Sequence, residues 1–338
     1  MLLVTGGAGF IGSNVVASLN DAGRGDVVVN DMLGSETKWR NLQKRQLADF
    51  IPPADLLRWL DGRKLDAVIH MGAISDTTAR DGDAVMDNNF RLSLRLLDWC
   101  TEARTPFIYA SSAATYGDAE RFVDDNSLAA LRRLKPMNLY GWSKHLFDLA
   151  VIERARKGAR LPPQWAGLKF FNVFGPNEYH KGEMMSLVAK RFEDVKAGRP
   201  AVLFRSHRPD VADGEQRRDF ISVEDVVRVN LFFFDHPEIS GIFNVGTGHA
   251  ESFNEMARAT VNAVRVARGE KALSLDGLRA AKAIEYIAFP PQLVGKYQSF
   301  TQADLGLLRA AGYREPFLGV EEGVARYVNA RMSRGGKR

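Results

Sequence analysis

Two residue types that together support hydride chemistry on alcohols stand four positions apart in this chain. Tyr140 and Lys144 lie in segment 138–144, NLYGWSK, and in a helix this spacing places both side chains on one face. An ammonium one turn away is expected to lower the pKa of the phenol. Such a phenol can take a proton from a sugar hydroxyl while hydride leaves the same carbon. The pair predicts hydride transfer, against the alternative of a solvated helix face.

The start of the chain predicts a nucleotide-binding turn. A short apolar strand at 2–4 runs into TGGAGFIG at 5–12, and apolar residues then continue at helical spacing. Gly6, Gly9 and Gly12 permit a tight turn, close approach of the backbone to a pyrophosphate and close packing of helix on strand. The N-terminus of the helix supplies free N–H groups for phosphate oxygens. Strand, glycine turn and helix in this order predict a dinucleotide site.

A second strand, VVVN at 27–30, ends at a carboxylate. Asp31 stands where a ribose contact is expected and favours NAD, because a 2′-phosphate would meet a like charge. Lys38 follows in the next loop and could bind that phosphate. From these residues alone the choice between NAD and NADP stays open.

Composition narrows the class of protein. The 338 residues are 45% hydrophobic and carry a net charge of +5 with the basic residues spread out, so nucleic acid is not the favoured partner. Cys100 is the only cysteine, which excludes an internal disulfide and a cysteine-based metal cluster, and no metal site is predicted. No apolar run approaches the length of a membrane span, and the first strand leaves no room for a signal peptide. We expect a protein of the reducing cytoplasm that does not bind membranes.

Strands alternate with helices along the first half of the chain. Further strands are expected at 47–50, ending beside Asp49, which could hold the adenine, at 65–70, at 106–110 and at 165–171. The alternation predicts an α/β fold, a Rossmann-like doubly wound parallel sheet with ligands at the carboxyl ends of its strands. The predicted division is a cofactor domain at 1–171 with returns near 218–245, a smaller substrate domain at 172–217 and 246–330, and a frayed tail at 331–338.

The order of the glycine turn, Ser112, Tyr140 and Lys144 resembles that of the extended short-chain dehydrogenases/reductases, the sugar-nucleotide epimerases and dehydratases. Five stretches are similar, more narrowly, to the ADP-L-glycero-D-manno-heptose 6-epimerase family: VTGGAGFIGSN at 4–14, YASSAATYG at 109–117, FFNVFGPNEYHKG at 170–182, IFNVGTGHAESF at 242–253 and YQSFTQADLGLLRAAGY at 297–313. The resemblance extends from residue 1 to about 330.

The resemblance implies inversion of carbon 6 in an ADP-heptose, a precursor of the lipopolysaccharide inner core, with tightly held NADP and a homo-oligomer, a pentamer. It tips the interpretation of Lys38 toward a 2′-phosphate contact and makes NAD the less favoured cofactor. The two acid/base residues of the family fall on Tyr140 and Lys181. If a ketone intermediate turns over in its pocket, each residue serves one orientation, and Ser112 hydrogen-bonds the reacting oxygen.

The matching motifs also imply binding residues. Beyond the three glycines and Asp49, the cofactor contacts would be Phe10, Ile11, Asp31, Met32, Lys38, Met71, Gly72, Ala73, Ile74, Ser75, Asn88, Lys144 and Val173. The substrate contacts would be Ser112, Asn172, Lys181, Glu183, Lys190, Phe204, Arg205, Ser206, His207, Arg218 and Tyr297. Glu183 and Lys190 depart from the serine and histidine of the family pattern, and Pro52 and Pro53 stand where a lysine is expected.

Two other interpretations stay open. One is another sugar-nucleotide enzyme, either a UDP-hexose 4-epimerase or a dehydratase. The dehydratase is disfavoured because Ala113 and Ala114 follow Ser112, where such enzymes supply acidic residues. The other is a non-catalytic nicotinamide-binding sensor, which would not need a tuned phenol.

Overall fold

The computed structural model describes residues 1–34, 37–119, 121–291 and 298–334. The chain divides into two compact units. The first contains Met1–Phe170, Val226–Val245 and Asp304–Arg314, and the second contains Phe171–Asp225, Gly246–Ala303 and Glu315–Arg338.

The described strands, in chain order, are β1 (Leu2–Thr5), β2 (Val27–Asn30), β3 (Asp49–Ile51), β4 (Ala67–His70), β5 (Phe107–Ser112), β6 (Trp165–Phe170), β7 (Asn172–Phe174), β8 (Ala201–Phe204), β9 (Arg217–Ser222), β10 (Gly241–Val245), β11 (Ala250–Ser252) and β12 (Ile284–Ile287). The α-helices are α1 (Phe10–Asp21), α2 (Leu56–Leu60), α3 (Gly82–Met86), α4 (Leu92–Ala103), α5 (Leu128–Leu131), α6 (Leu139–Arg156), α7 (Leu187–Lys196), α8 (Val223–Asp235), α9 (Phe253–Ala267), α10 (Leu275–Ala280), α11 (Gly306–Ala310) and α12 (Val320–Arg334). Short 3₁₀ turns occupy Lys38–Asn41, Pro53–Asp55, Ala113–Tyr116 and Tyr179–Met184, and a π-helical turn occupies Asp87–Arg91.

Seven parallel strands form the sheet of the first unit, in the order β3-β2-β1-β4-β5-β6-β10. All residues of β1, β2 and β4 are buried, as expected for parallel strands covered on both faces. The strand order is that of a doubly wound sheet, which confirms the predicted fold class.

Aromatic packing holds α6 against β5. The rings of Tyr109 on β5 and Phe147 on α6 meet edge to face, with centroids 4.8 Å apart, and Phe107 packs beside both. Gly167 on β6 leaves room for Tyr109, since a Cβ there would lie 2.5 Å from the tyrosine oxygen. This contact fixes the helix that carries Tyr140 and Lys144 on the strand that ends at Ser112.

The second unit contains a three-stranded sheet, β11-β9-β7, and a parallel pair, β8 and β12. Of the predicted returns near 218–245, β10 joins the Rossmann sheet beside β6, whereas β9 pairs in parallel with β7 and antiparallel with β11. Phe220 explains the difference, since it is buried in the apolar core of this unit together with Phe174. Residues 304–314, expected in the substrate domain, belong to the first unit.

The last helix also differs from expectation. Residues 331–334 continue α12, so the predicted frayed tail begins too early, and residues 335–338 lie outside the described part of the chain. Buried side chains of this helix, among them Val324 and Val328, join the core of the second unit, which explains why it continues. None of the described helices combines the length and the apolar character needed to cross a bilayer.

Candidate active site

The glycine turn has the backbone geometry of a dinucleotide cradle. Gly6 has a φ of +65°, and a Cβ on it would lie 2.6 Å from a backbone nitrogen of the loop after β4. A Cβ on Gly12 would lie 2.2 Å from the carbonyl oxygen of Gly6, which also accepts the N–H of Gly9 at 2.9 Å. Phe10 and Ile11 open α1 directly after the turn. These features fit a bound dinucleotide, because side chains on Gly6 and Gly12 would fill the turn.

Asp31 is held at the end of β2 by three donors of the protein. One carboxylate oxygen accepts the N–H of Ala8 at 2.9 Å, and the other accepts the N–H of Met32 at 2.7 Å and the ammonium of Lys38 at 2.6 Å. The Lys38 ammonium also donates to the carbonyl oxygen of Met32 at 2.9 Å. A cation therefore compensates the carboxylate at the position where the ribose of a dinucleotide is expected.

The loop after β4 carries five predicted cofactor contacts. They are Met71, Gly72, Ala73, Ile74 and Ser75. The N–H groups of Met71 and Gly72 donate to the carbonyl oxygen and the hydroxyl of Thr5, each at 3.1 Å. This loop is therefore tied to the end of β1, where the glycine turn starts.

Asn89 holds the same loop and was missed by sequence reasoning, which selected Asn88. The fully buried side chain of Asn89 accepts the N–H of Ile74 at 2.8 Å, donates to its carbonyl oxygen at 2.9 Å, and donates to the Ser143 hydroxyl at 3.0 Å. Asn88 donates to Asn89 at 3.0 Å. The available signal was two adjacent asparagines in a helical segment, since asparagine is a poor helix former, and they lie on the π-helical turn.

Asp49 does not lie where an adenine contact was predicted. It begins β3 instead of following that strand, and its register partner is Val28, two residues before the end of β2. Its carboxylate accepts the N–H of Phe50 at 2.8 Å and the indole N–H of Trp59 at 3.2 Å. The position of Asp49 therefore gives the predicted adenine contact no support.

Ser112 and Tyr140 are brought together by β5 and α6. Their side chains are hydrogen-bonded, and the Ser112 oxygen also accepts the N–H of Ala114 at 3.1 Å. Asn138 caps α6 by accepting the N–H of Gly141 at 2.8 Å. A Cβ on Gly141 would lie 2.6 Å from the carbonyl oxygen of Ala114, so glycine allows the helix to start close to this turn. Two residues that were predicted to act on the same substrate oxygen are therefore neighbours in the structure.

The electrostatics of Tyr140 differ from the expectation that Lys144 would lower its pKa. Burial raises the pKa of Tyr140, and the charge of Asp148 raises it further, while the hydrogen bond with Ser112 opposes both. Burial lowers the pKa of Lys144 to about 8, and Asp148 opposes that change. Because Lys144 is only 2% exposed, its ammonium is weakly solvated.

Asp148 on α6 and Lys169 on β6 form a buried ion pair in the same unit as Tyr140 and Lys144. The Lys169 ammonium lies 3.5 Å from a carboxylate oxygen of Asp148, and their side chains are 2% and 0% exposed. Asp148 accepts the hydroxyls of Ser111 at 2.7 Å and Tyr109 at 3.2 Å, and Lys169 donates to Thr115 at 3.0 Å. Sequence reasoning missed this pair, although Asp148 lies one further helical turn after Lys144.

His70 has a structural role in the first unit. Its two ring nitrogens lie 2.6 Å from the Thr5 hydroxyl and 2.9 Å from the Ser93 hydroxyl. Burial, assisted by the charge of Lys144, lowers the pKa of His70 to about 3. His70 is therefore a neutral residue that links β1, β4 and α4.

Lys181 lies in the second unit on the 3₁₀ turn at Tyr179–Met184. Its side chain is half-buried; burial lowers its pKa, and the negative charge of Glu178 opposes this. Glu183, two residues later, is 98% exposed and pairs with the Lys190 ammonium at 2.9 Å. The acid/base role of Lys181 stays a prediction. Glu183 and Lys190, which were predicted to contact the substrate, form an ion pair at the surface.

The other predicted binding residues of the second unit differ in how far they are buried. Arg218 is buried and donates to the carbonyl oxygen of Arg217 at 3.0 Å. His207 packs on the ring of Phe289 with centroids 4.3 Å apart, and Phe204 meets the same ring edge to face. Arg205 and Asn172 are exposed, Val173 and Ser206 are half-buried, and Tyr297 lies outside the described residues.

Comparisons with known proteins agree with this geometry. A model of the NAD dependent epimerase/dehydratase family matches residues 2–246. The ADP-L-glycero-D-manno-heptose-6-epimerase of Thiobacillus denitrificans is 47% identical over 330 residues, which are 96% of this chain and 97% of that protein.

Two solved structures extend the comparison over nearly the whole chain. The ADP-L-glycero-D-manno-heptose-6-epimerase of Helicobacter pylori is 27% identical with a TM-score of 0.76, covering 98% of this chain and 96% of that one. The UDP-glucose 4-epimerase of Thermus thermophilus, solved with NAD, is 25% identical with a TM-score of 0.73, covering 98% and 99%. On the family match and on the 47% identity, the chain belongs to the NAD dependent epimerase/dehydratase family.

Proposed function

We propose that this chain is an isomerase that converts ADP-D-glycero-β-D-manno-heptose into ADP-L-glycero-β-D-manno-heptose by oxidation and re-reduction at carbon 6. The observation that carries the reaction type is the hydrogen bond between Ser112 and Tyr140, one helical turn before the buried Lys144. The 47% identity to an enzyme of that name, over 96% of this chain, supports the substrate.

Tyr140 takes the proton of the substrate hydroxyl in one orientation of the sugar, and gives it back to the same oxygen only in the reverse reaction, while Ser112 donates a hydrogen bond to that oxygen. A bound nicotinamide supplies the acceptor and donor of hydride, and its oxidised ring carries a positive charge that favours an ionised phenol. Because burial raises the pKa of Tyr140, the phenol of the ligand-free protein is neutral at pH 7. In the ligand-free protein Tyr140 is therefore a proton donor. It can accept a proton only when a nearby positive charge stabilises its phenolate.

Inversion at one carbon needs hydride to leave one face and to return to the other. After the sugar ketone has turned over, the oxygen that receives the proton has a different orientation. We assign the second acid/base role to Lys181, whose pKa is lowered by burial and which can therefore exchange a proton more readily than an exposed lysine.

Of the two nicotinamide cofactors NAD and NADP, we propose that this chain uses NADP. Lys38 supplies a cation at the end of β2, and its bond to Asp31 at 2.6 Å reduces the repulsion that the carboxylate would exert on a 2′-phosphate. The glycine turn would hold the pyrophosphate, and Lys144 is a further predicted cofactor contact. Substitution of Lys38 is the direct test of this choice.

The remaining proposals follow from the substrate. An ADP-heptose epimerase supplies a precursor of the lipopolysaccharide inner core, and we place this enzyme in the cytoplasm, where ADP-sugars are made from ATP. By the same resemblance we propose a homopentamer, which sedimentation analysis would test.

The experiment incubates the purified protein with ADP-D-glycero-β-D-manno-heptose without added reductant and separates the epimers by chromatography. Conversion to the L-glycero epimer is expected, and Tyr140→Phe and Lys181→Met should each slow it by about 100-fold or more. Lys271→Met is the control for Lys181→Met, because it removes an exposed ammonium of the same unit. Turnover of a UDP-hexose with none of the ADP-heptose would refute the substrate, and a near-normal rate for Lys181→Met would refute the second acid/base role.

A further inference from the structure

A carboxylate in the core of the second unit holds both ends of the segment that carries Lys181. Glu178 has no exposed surface. One of its oxygens accepts the Ser186 hydroxyl at 2.6 Å and the N–H of Gly175 at 3.3 Å, and the other accepts the N–H of Ser186 at 2.6 Å. Residues 175 and 186 flank the turn, so these bonds close it into a loop.

The backbone of the loop is fixed by further bonds. The N–H of Lys181 donates to the carbonyl oxygen of Glu178 at 3.0 Å, and Ser186 caps α7 by accepting the N–H of Ala189 at 3.3 Å. Gly182 bends the chain with a φ of +52°, in the region that favours glycine. Glu178 therefore fixes both ends of the loop and the backbone position of Lys181.

Glu178 and Lys181 also interact by charge. Burial raises the pKa of Glu178, and the Lys181 ammonium is the largest opposing influence. Burial lowers the pKa of Lys181, and Glu178 opposes that change. A buried carboxylate is costly without a compensating cation, so each group stabilises the charged form of the other.

Other charged and titratable groups near the loop come from three elements. Tyr179 and His180 lie on the loop itself, and Tyr327 of α12 is affected by the charges of both Tyr179 and Glu178. Arg331 of α12 lies 4.5 Å over the Tyr179 ring and pairs with Glu193 of α7. The Lys190 ammonium of α7 is bonded to the exposed Glu183. Glu178 is the group whose charge opposes the effect of burial on Lys181.

We propose that Glu178 is the positioning residue of Lys181: its buried carboxylate closes the loop that carries the lysine and provides the negative charge of its surroundings. The proposal rests on the acid/base role proposed above for Lys181. Glu178 exchanges no proton with the substrate. In the direction that forms the L-glycero epimer, Lys181 gives its proton to the substrate oxygen. Before the next turnover Tyr140 releases the proton that it took, and Lys181 regains one, by exchange with water.

Glu178→Gln separates the charge from the hydrogen bonds. The glutamine carbonyl oxygen can accept the N–H of Ser186, and the amide can donate to the Ser186 hydroxyl, which then reverses its role. The loop should keep its shape while the negative charge is lost. Glu183→Gln is the matched control, because it removes an exposed charge of the same loop.

The measurement is the pH dependence of Lys181 acetylation by acetic anhydride in the ligand-free protein, read by peptide mass spectrometry. Only the neutral amine reacts, so the curve gives the pKa of Lys181 without any turnover. In Glu178→Gln this pKa should fall by about one unit or more, a tenfold rise in reactivity at neutral pH. It should not fall in Glu183→Gln, and Lys190 in Glu178→Gln should be unchanged.

An unchanged Lys181 curve in folded Glu178→Gln would overturn the proposal, as would an equal shift in Glu183→Gln. If Glu178→Gln does not fold, Glu178→Asp, which withdraws the carboxylate by one methylene, should shift the curve in the same direction, and no shift would overturn the proposal. Where the wild type converts ADP-heptose, the limb of its pH–rate profile that depends on Lys181 should shift equally. Absence of wild-type turnover would contradict the proposed function and leave the labelling result intact.

Discussion

The ion pair of Asp148 and Lys169 gives a quantitative test of how the site is supported. Lys169→Met removes the ammonium that lies 3.5 Å from Asp148 and 3.0 Å from the Thr115 hydroxyl, with both charged side chains at most 2% exposed. Asp148 would keep the hydroxyls of Ser111 and Tyr109 but would lose its ion-pair partner. The variant thus leaves a buried carboxylate without its paired cation, which is a larger penalty than the loss of the pair itself.

The expected cost is about 3 to 5 kcal/mol in the free energy of unfolding at pH 7. Asp148→Asn should cost a similar amount, because it leaves a buried ammonium unpaired. The double variant should lose much less than the sum, since the introduced amide oxygen can accept one of the two hydroxyls, the amide N–H can donate to the other, and methionine fills the volume of lysine. A positive coupling energy of about 2 kcal/mol or more is therefore predicted.

Guanidinium denaturation followed by circular dichroism measures these energies, with Arg132→Met as the control. Arg132 pairs with Glu153 at 2.9 Å, but the side chains are 61% and 38% exposed, so its loss should cost less than about 1 kcal/mol. The activity of Lys169→Met should also fall, because Thr115 donates to the carbonyl oxygen of Ser112 at 2.8 Å. If Lys169→Met were no less stable than Arg132→Met, the assigned role of the pair would be refuted.

Three further predictions concern the cofactor and the pH profile. Gly12→Ala should abolish binding of the dinucleotide in a fluorescence titration, because its Cβ would lie 2.2 Å from a carbonyl oxygen. Gly319→Ala, where a Cβ meets nothing within 4 Å, should leave binding unchanged, and equal affinities of the two variants would contradict the cradle. Lys38→Ala should raise the Kd for NADP by about 10-fold and leave that for NAD within about 2-fold, and equal losses would contradict the 2′-phosphate contact. Because the pKa of Lys144 is lowered to about 8, kcat/KM should fall on the alkaline side with a midpoint near pH 8, and a plateau to about pH 10 would contradict a role for its ammonium.

The features predicted from sequence are those set by short segments. The turn at Gly6, Gly9 and Gly12 needs only a strand before it and a helix after it, and both are local signals. Tyr140 and Lys144 share one helix, so their spacing alone placed them on one face. Alternating strands and helices were sufficient to predict the doubly wound sheet.

The features missed depend on partners that are distant in sequence. Asp148 meets Ser111 from 37 positions away, and Asn89 meets Ser143 from 54 positions away, so no spacing rule could reveal either contact. The pKa of Tyr140 was expected to fall because only Lys144 was visible, whereas burial and Asp148 decide its direction in the fold. The strand at 217–222 was misplaced because strand pairing is a tertiary property.

The central claim is that hydride leaves carbon 6 of an ADP-heptose and returns to the same carbon on the opposite face. The most direct measurement uses ADP-D-glycero-β-D-manno-heptose deuterated at carbon 6, with the product examined by mass spectrometry and proton NMR after turnover in ordinary water. The proposed mechanism predicts the L-glycero epimer with deuterium retained at carbon 6 and no net change in the cofactor. An epimer that has exchanged its deuterium for solvent hydrogen, or no epimer at all, would contradict it.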